Sequence, residues 1–466
     1  MRILLFSGSH ISLIVLAMCW LGLSCSTIDD NISNSPDLRL SFSQDTVRFD
    51  TILTSRSSIT QRLRVRNSSD QSINIDRISL GLANRSNYKV IVNGKEGLSI
   101  ANEVIGPNDS LLVLVSVTID PADRNLPFLV KDSLIFEWNG NLADVKLTAY
   151  GQDAVFLNKE VLCDQVWVNE KPYVIQDSVV VDASCELRIE KGTRVFFDAG
   201  GTLLVFGSLV VEGDSSDQVI FRNTRIDEGF RQIPGQWPGL QFIPGSRNNR
   251  ISYTIIENAQ NGIFTFGTSD VANRVQIEMD HTIIRNMSLS GIQAFTADIR
   301  ASNLLVYNCG QFLFSGLVGG SYHFEHCTFS NEPNAFIRDQ PSFVLLDTDP
   351  NDPRFVAPIE LALANSIVWG SEQEEFFLDN PGGTPLDSSV FRNIIRSNGE
   401  IPGNFTSGEF NFPGFVNAFE FNYQLDTTSF AIDRSVESNL IDDIRGLARD
   451  SFPDLGAYEW VKDPSS

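Results

Sequence analysis

From residue 38 to about 152 the chain alternates apolar and polar positions in short runs, such as Gln61-Arg62-Leu63-Arg64-Val65-Arg66 and Leu111-Leu112-Val113-Leu114-Val115-Ser116-Val117. Turn-forming clusters such as Asn67-Ser68-Ser69-Asp70 separate these runs. Successive side chains of a strand point to opposite faces, so the pattern predicts an antiparallel β-sandwich over residues 38–152. Beyond Val155 the texture changes to very short apolar strands, among them Tyr173-Val174-Ile175, Val179-Val180-Val181, Leu187-Arg188-Ile189, Val195-Phe196-Phe197 and Leu203-Leu204-Val205, punctuated by Gly192, Gly200, Gly201, Gly207 and Gly213. No helical period is present. A chain that turns after every short strand buries its faces only by stacking one coil on the next, which predicts a right-handed parallel β-helix over 153–400.

An internal repeat supports the coil. Thr254-Ile255-Ile256-Glu257-Asn258 recurs as Thr282-Ile283-Ile284-Arg285-Asn286, and more loosely as Leu304-Leu305-Val306-Tyr307-Asn308 and Cys327-Thr328-Phe329-Ser330-Asn331. The four asparagines are 28, 22 and 23 residues apart, the length of a rung, and their stacked side chains would hydrogen-bond along the coil. The 33 phenylalanines fit the same picture, since like positions on successive rungs stack in a narrow core. Residues 401–466 are expected to cap the coil, because an open end exposes strand edges.

The N-terminus sets the location. Arg2, an apolar stretch from Ile11 to Leu21 and then Leu21-Gly22-Leu23-Ser24-Cys25 have the layout of a secretory signal, too short to span a bilayer. Small residues just before Cys25 resemble the lipobox of bacterial lipoproteins, although Gly22 stands where leucine is usual and Cys19 is a second cysteine in the segment. The resemblance implies a signal peptide over 1–24, a lipid on Cys25 that holds the chain to the membrane, and a tether over 25–37 rich in Ser, Asn and Asp. Asp29-Asp30 resembles the export tag of lipoproteins displayed on the outer membrane surface. The net charge of -23 argues against nucleic acid, whose binding requires clustered Lys and Arg.

Two further resemblances carry expectations. Val47-Arg48-Phe49-Asp50-Thr51, Leu63 to Asn67 and Val145 to Gly151, in that order, resemble an immunoglobulin-like domain of the ASPM/SPD-2/Hydin type, which implies a spacer or adhesion module. The rung repeats, with Gly262-Ile263 and Gly291-Ile292 at matching offsets, resemble pectin-lyase-like β-helices, and Asp443-Ile444-Arg445-Gly446 with Pro453 to Glu459 resembles the closing segment of secreted β-helix proteins.

Once Cys19 is removed and Cys25 acylated, four cysteines remain. Cys309 follows its rung's asparagine by one residue and Cys327 precedes its own by four, an offset of about 16 Å along extended strands that precludes a bond. Both are expected as buried free thiols. Cys163 and Cys185 lie about one rung apart and are a possible disulfide.

Candidate chemistry is sparse. No lysine occurs between Lys191 and Lys462, so a lysine-based lyase cannot operate along most of the coil. Aligning the rungs gives two polar columns, Tyr253, His281, Asn303 and His326 in one and Glu257, Arg285, Tyr307 and Ser330 in the other. Ile256, Ile284, Val306 and Phe329 point inward, which places both columns outside, as a shallow stripe for a sugar chain or as solvated positions with a Glu257 to Arg285 ion pair. His323 and His326 project to opposite faces and cannot share an ion, and Asp347 to Asp352 lacks the glycine turn and distal Glu of a calcium loop. The sequence therefore implies no metal and no cofactor. Glu372 to Glu375 offers adjacent acids, and Trp237 is a stacking or packing ring. Together these features favour a lipid-anchored, non-catalytic envelope protein that presents a β-helix to a glycan or an envelope protein. The alternatives are a polysaccharide-degrading enzyme using Arg285, His281 and the acids near Glu374, and a structural part of an envelope assembly.

Overall fold

A computed structural model describes residues 32–227, 229–267, 275–332, 336–406 and 412–461. The signal segment and the Cys25 acylation position lie outside the described residues. Among those described, no helix is long and apolar enough to cross a membrane. The chain is almost entirely β-strand and divides into two compact units, the first over 1–120 and 128–151 and the second over 121–127 and 152–466.

In the first unit two sheets enclose one core. Thr46–Leu53, Ser72–Leu80, Ser99–Ile105, Phe128–Trp138 and Asn141–Gln152 belong to one sheet, and Leu40–Phe42, Gln61–Asn67, Tyr88–Val92, Lys95–Glu96 and Ser110–Val117 form the other. Alternation decides which residues meet. Leu63 and Val65 are fully buried while Arg62, Arg64 and Arg66 face out, and Val113, Val115, Leu134 and Phe136 close the same core. Tyr88 brings a polar group into this core, and its hydroxyl donates to the Val130 carbonyl at 3.0 Å.

Part of the segment expected as a tether over 25–37 is paired to the first unit. Ile32–Ser33 pairs in parallel with Ser72 and Ile73, and the Asn139 amide donates to the carbonyls of Ser33 and Ser35 at 2.9 and 3.0 Å. A strand edge and one side chain satisfy this backbone even though it contributes nothing to the core.

The second unit is a coil of parallel strands with three faces per turn. The first face runs through 186–190, 208–212, 249–252, 277–280, 299–302, 320–325 and 359–364, each strand beside its neighbour of the next turn. The second runs through 219–221, 254–257, 282–285, 304–307, 328–330 and 367–369. The third includes 240–242, 261–266, 290–295, 314–317, 343–346 and 376–379. The register pairs Glu257 with Arg285, Arg285 with Tyr307 and Tyr307 with Ser330, as the repeat predicts. Ile256, Ile284, Val306 and Phe329 are fully buried inside the coil. Phe314, Phe324, Phe329 and Phe343 pack ring on ring there, with centroids about 5 to 6 Å apart.

The asparagine ladder forms with one member more and one fewer than the repeat suggests. Asn258 donates to Asn223 at 2.8 Å, Asn286 to Asn258 at 3.3 Å and Asn308 to Asn286 at 2.7 Å. Asn331 leaves the stack and instead bonds both backbone groups of Cys309. Asn258, Asn286 and Asn308 have φ of 65°, 59° and 53°, the left-handed conformation that asparagine tolerates better than most residues.

The closing segment corrects the expected cap. Phe405–Thr406 still pairs in parallel with Ile394–Ile395, so the coil runs past residue 400. Residues 412–461 lie along its flank instead of across its end. Their Phe415, Tyr423, Leu425, Ile444 and Leu455 form a second core with Leu305, Tyr307, Ile367, Trp369 and Ile394, which point outward from the second face.

Candidate functional site

The first polar column sits at the bend between the first and second faces. Tyr253, His281, Asn303 and His326 have φ of 44°, 45°, 48° and 51°, and Asn365 and Arg392 continue the series at 51° and 58°. Asparagine and histidine accept this left-handed bend readily, whereas Tyr253 is held there by stacking on His281, with centroids 4.1 Å apart.

The column was expected on the solvent side, and the structure corrects this, because residues 433–457 roof it. Asp442 meets His281 Nε2 at 3.2 Å while Asp280 meets Nδ1 at 2.9 Å. Asn303 donates to the Asp442 carbonyl at 3.0 Å and accepts from Arg449 at 2.8 Å. Asn365 accepts from the Val436 N–H and donates to the Val436 carbonyl. His326 is fully buried, and burial together with nearby Arg449 pushes its pKa down to about 3, so it stays neutral. The roof has its own buried charges. Arg449 and Glu459 pair at 3.1 Å with side chains 1% and 3% exposed, and burial raises the Asp454 carboxyl to about 7.

The second column keeps a cavity. Arg285 donates to Glu257 Oε2 through Nε at 2.8 Å and to the Tyr307 hydroxyl at 3.0 Å. Arg222, which the repeat does not reveal, takes the other Glu257 oxygen at 3.1 Å. Glu257 is thus clamped between two arginines and is 4% exposed. Ser330 is fully buried and Tyr307 packs against Phe421 and Tyr423, so neither belongs to an open stripe. What remains is a hollow of about 170 Å³ bounded by Arg222, Arg231, Glu257, Arg285, Tyr307 and the turn at Glu420 and Phe421.

Several other candidates serve the fold. Glu375 is fully buried, paired to Arg338 at 2.7 Å and accepting the Ser342 and Glu372 N–H groups. Asp347 accepts the Gly382 and Thr384 N–H groups, and Asp352 binds Arg354, which accounts for most of the acids of that loop. Trp237 is buried, stacked on Phe197 at 3.9 Å and donating to the Glu257 carbonyl. Cys163 and Cys185 form a disulfide, and Cys309 and Cys327 are buried free thiols. Among the described residues, the one grouping of metal-ligand types, Cys163, Asp164 and Cys185, has both sulfurs tied up in that bond.

The sequence reading missed a cluster on the open first face. Ser321 donates to Glu360 at 2.8 Å and lies 3.2 Å from His323 Nε2, and Asp298 sits on the neighbouring strand opposite Ser321. Burial raises the Asp298 pKa, with Glu360 adding to it and Arg300 and His323 opposing. Parity along 320–325 would have exposed this cluster, but the asparagine alignment drew attention to the second face instead.

No family model and no curated protein matches the chain. Among solved structures, a protein of unknown function from Porphyromonas gingivalis matches 27% of this chain and 60% of its own length, under two thirds, at 11% identity and a TM-score of 0.19. The ASH / PapD-like domain of human CEP192 matches 28% of this chain and 96% of its own, at 11% identity and a TM-score of 0.17. The catalytic domain of a GH87 alpha-1,3-glucanase, in complex with tetrasaccharides, matches 74% of this chain and 88% of its own, at 10% identity and a TM-score of 0.17.

Proposed function

We propose that this chain is a lipid-anchored envelope protein whose coil binds a glycan or an envelope partner without catalysing a reaction. The roof over the first column carries the reading. Catalytic acids and bases must reach the substrate proton, whereas His281, Asn303 and Asn365 are bonded to Asp442, Arg449 and Val436 of the same chain. Arg285 and Glu375, the groups on which the enzymatic alternative leaned, are held in ion pairs. Acylation of Cys25, display at the outer membrane surface, the immunoglobulin-like type of the first unit and the right-handed sense of the coil belong to the same proposal. Its test is mass spectrometry of the mature N-terminal peptide together with retention of the chain on immobilised polysaccharides. An unmodified Cys25 and no retention would refute it.

A second reading, hydrolysis of a glycan, has one observation in its favour. Asp298 and Glu360 are two strands apart on the open first face, about 9.6 Å at 4.8 Å per strand, close to the carboxylate separation of about 6.5–9.5 Å in inverting glycosidases. Release of new chain ends, lost in Asp298→Asn and Glu360→Gln, would establish it.

A further inference from the structure

We propose that the hollow beside Glu257 is a binding site for the oxyanion of an acidic sugar, a carboxylate or a sulfate. The inference rests on the glycan-binding reading above and names the ligand class of one site within it. On a chain with net charge -23 this hollow is lined by three guanidinium groups and two carboxylates, a local excess of positive charge. Glu257 neutralises only part of Arg222 and Arg285. Arg231 is exposed, and among the described residues its guanidinium has no ion-pair partner.

Two further features mark the hollow. Arg222, which lines it, pairs with Glu257 through one terminal nitrogen while its buried Nε–H has no partner among the described residues. At the rim Phe421 is held at φ 58°, a strained conformation for an aromatic residue, anchored by its N–H to the Ala418 carbonyl at 2.9 Å. Flat guanidinium forks match carboxylate and sulfate oxygens in pairs, and Glu420 on the opposite lip can accept sugar hydroxyls. The volume sets the size of the ligand. A hollow of about 170 Å³ suits a single acidic sugar unit and not a polymer threaded through it. Polar groups dominate the walls, which favours a sugar over a peptide that would need apolar subsites.

The experiment is titration calorimetry of the full chain with galacturonate, N-acetylneuraminate, glucose 6-sulfate and, as control, glucose. The acidic sugars bind and glucose does not, and the stronger of the carboxylate and sulfate arms identifies the oxyanion. Arg231→Ser weakens binding by about tenfold or more, while Arg231→Lys, which keeps the charge and loses the fork, falls in between. Arg231 is exposed, so an unchanged melting temperature shows that the fold survives; Arg222 and Arg285 are built into ion pairs and are poorer probes. Absence of heat with every acidic sugar, equal binding of glucose, or undiminished binding by Arg231→Ser would overturn the proposal. If polysaccharide retention persists in any of those cases, only this pocket fails and the broader reading stands.

Discussion

Replacing Arg449 tests whether the closing segment is a roof held by buried charge. Its guanidinium donates to Glu459, to Asn303 and to the carbonyls of Asp442 and Gly456, with the side chain 1% exposed. Arg449→Met keeps most of the volume and strands the Glu459 carboxylate, a loss of about 3–5 kcal/mol for a broken buried pair. The loss should fall on the roof, because its apolar residues form a core separate from that inside the coil. About 3 kcal/mol corresponds to roughly a hundredfold faster hydrogen exchange. Exchange measured by mass spectrometry should therefore rise across 433–457 and stay slow in the coil strands 277–309. Arg449→Met with Glu459→Gln should recover much of the protection, since the stranded charge is gone. A single variant with unchanged exchange over 433–457, or one that loosens roof and coil equally, would refute the reasoning.

Further expectations concern pH, thiols and the ladder. A carboxyl whose pKa is higher in the folded chain than in the unfolded one stabilises the fold most where it is protonated, and this contribution fades as pH rises through the folded value. Asp454, raised by burial to about 7, should therefore make roof protection factors, taken relative to the intrinsic exchange rate at each pH, higher at pH 6 than at pH 8, and Asp454→Asn should flatten that difference. Burial pushes the Cys309 and Cys327 thiols up to about 12, so both should resist alkylation at pH 8 until the chain is unfolded. Removing the disulfide in Cys163→Ser with Cys185→Ser frees a loop of 22 residues and should cost about 3 kcal/mol in urea denaturation. Asn286→Leu loses a donated and an accepted bond within the ladder and places a branched side chain at φ 59°, which should lower stability by about 2–3 kcal/mol, with Asn286→Gly less harmful.

The coil was legible because its rungs repeat. The alignment of Asn258, Asn286 and Asn308 assigned Ile256, Ile284 and Val306 inward and offered a Glu257 to Arg285 pair as one of two readings of the column, and the structure has both features. The roof was hidden because it comes from residues far along the chain. One local signal pointed to it: Ile283 and Leu305 are apolar at outward positions, and such residues require a cover. The later rungs at Asn365 and Arg392 escaped notice because the stretch after Asn331 breaks the spacing. Arg222 and Arg231, which complete the hollow, lie on an earlier turn and the loop after it, where no Thr-Ile-Ile repeat marks them. The backbone pairing of Ile32 and Ser33 was equally invisible, since a segment rich in Ser and Asn contributes no apolar pattern.

The most direct test of the central claim is a screen of the purified chain against uronate-containing and neutral polysaccharides, scoring retention and new reducing or unsaturated ends together. Retention of a glycan with no new ends is the expected result. New ends that disappear in Asp298→Asn would contradict the non-catalytic account and move the function to the open first face.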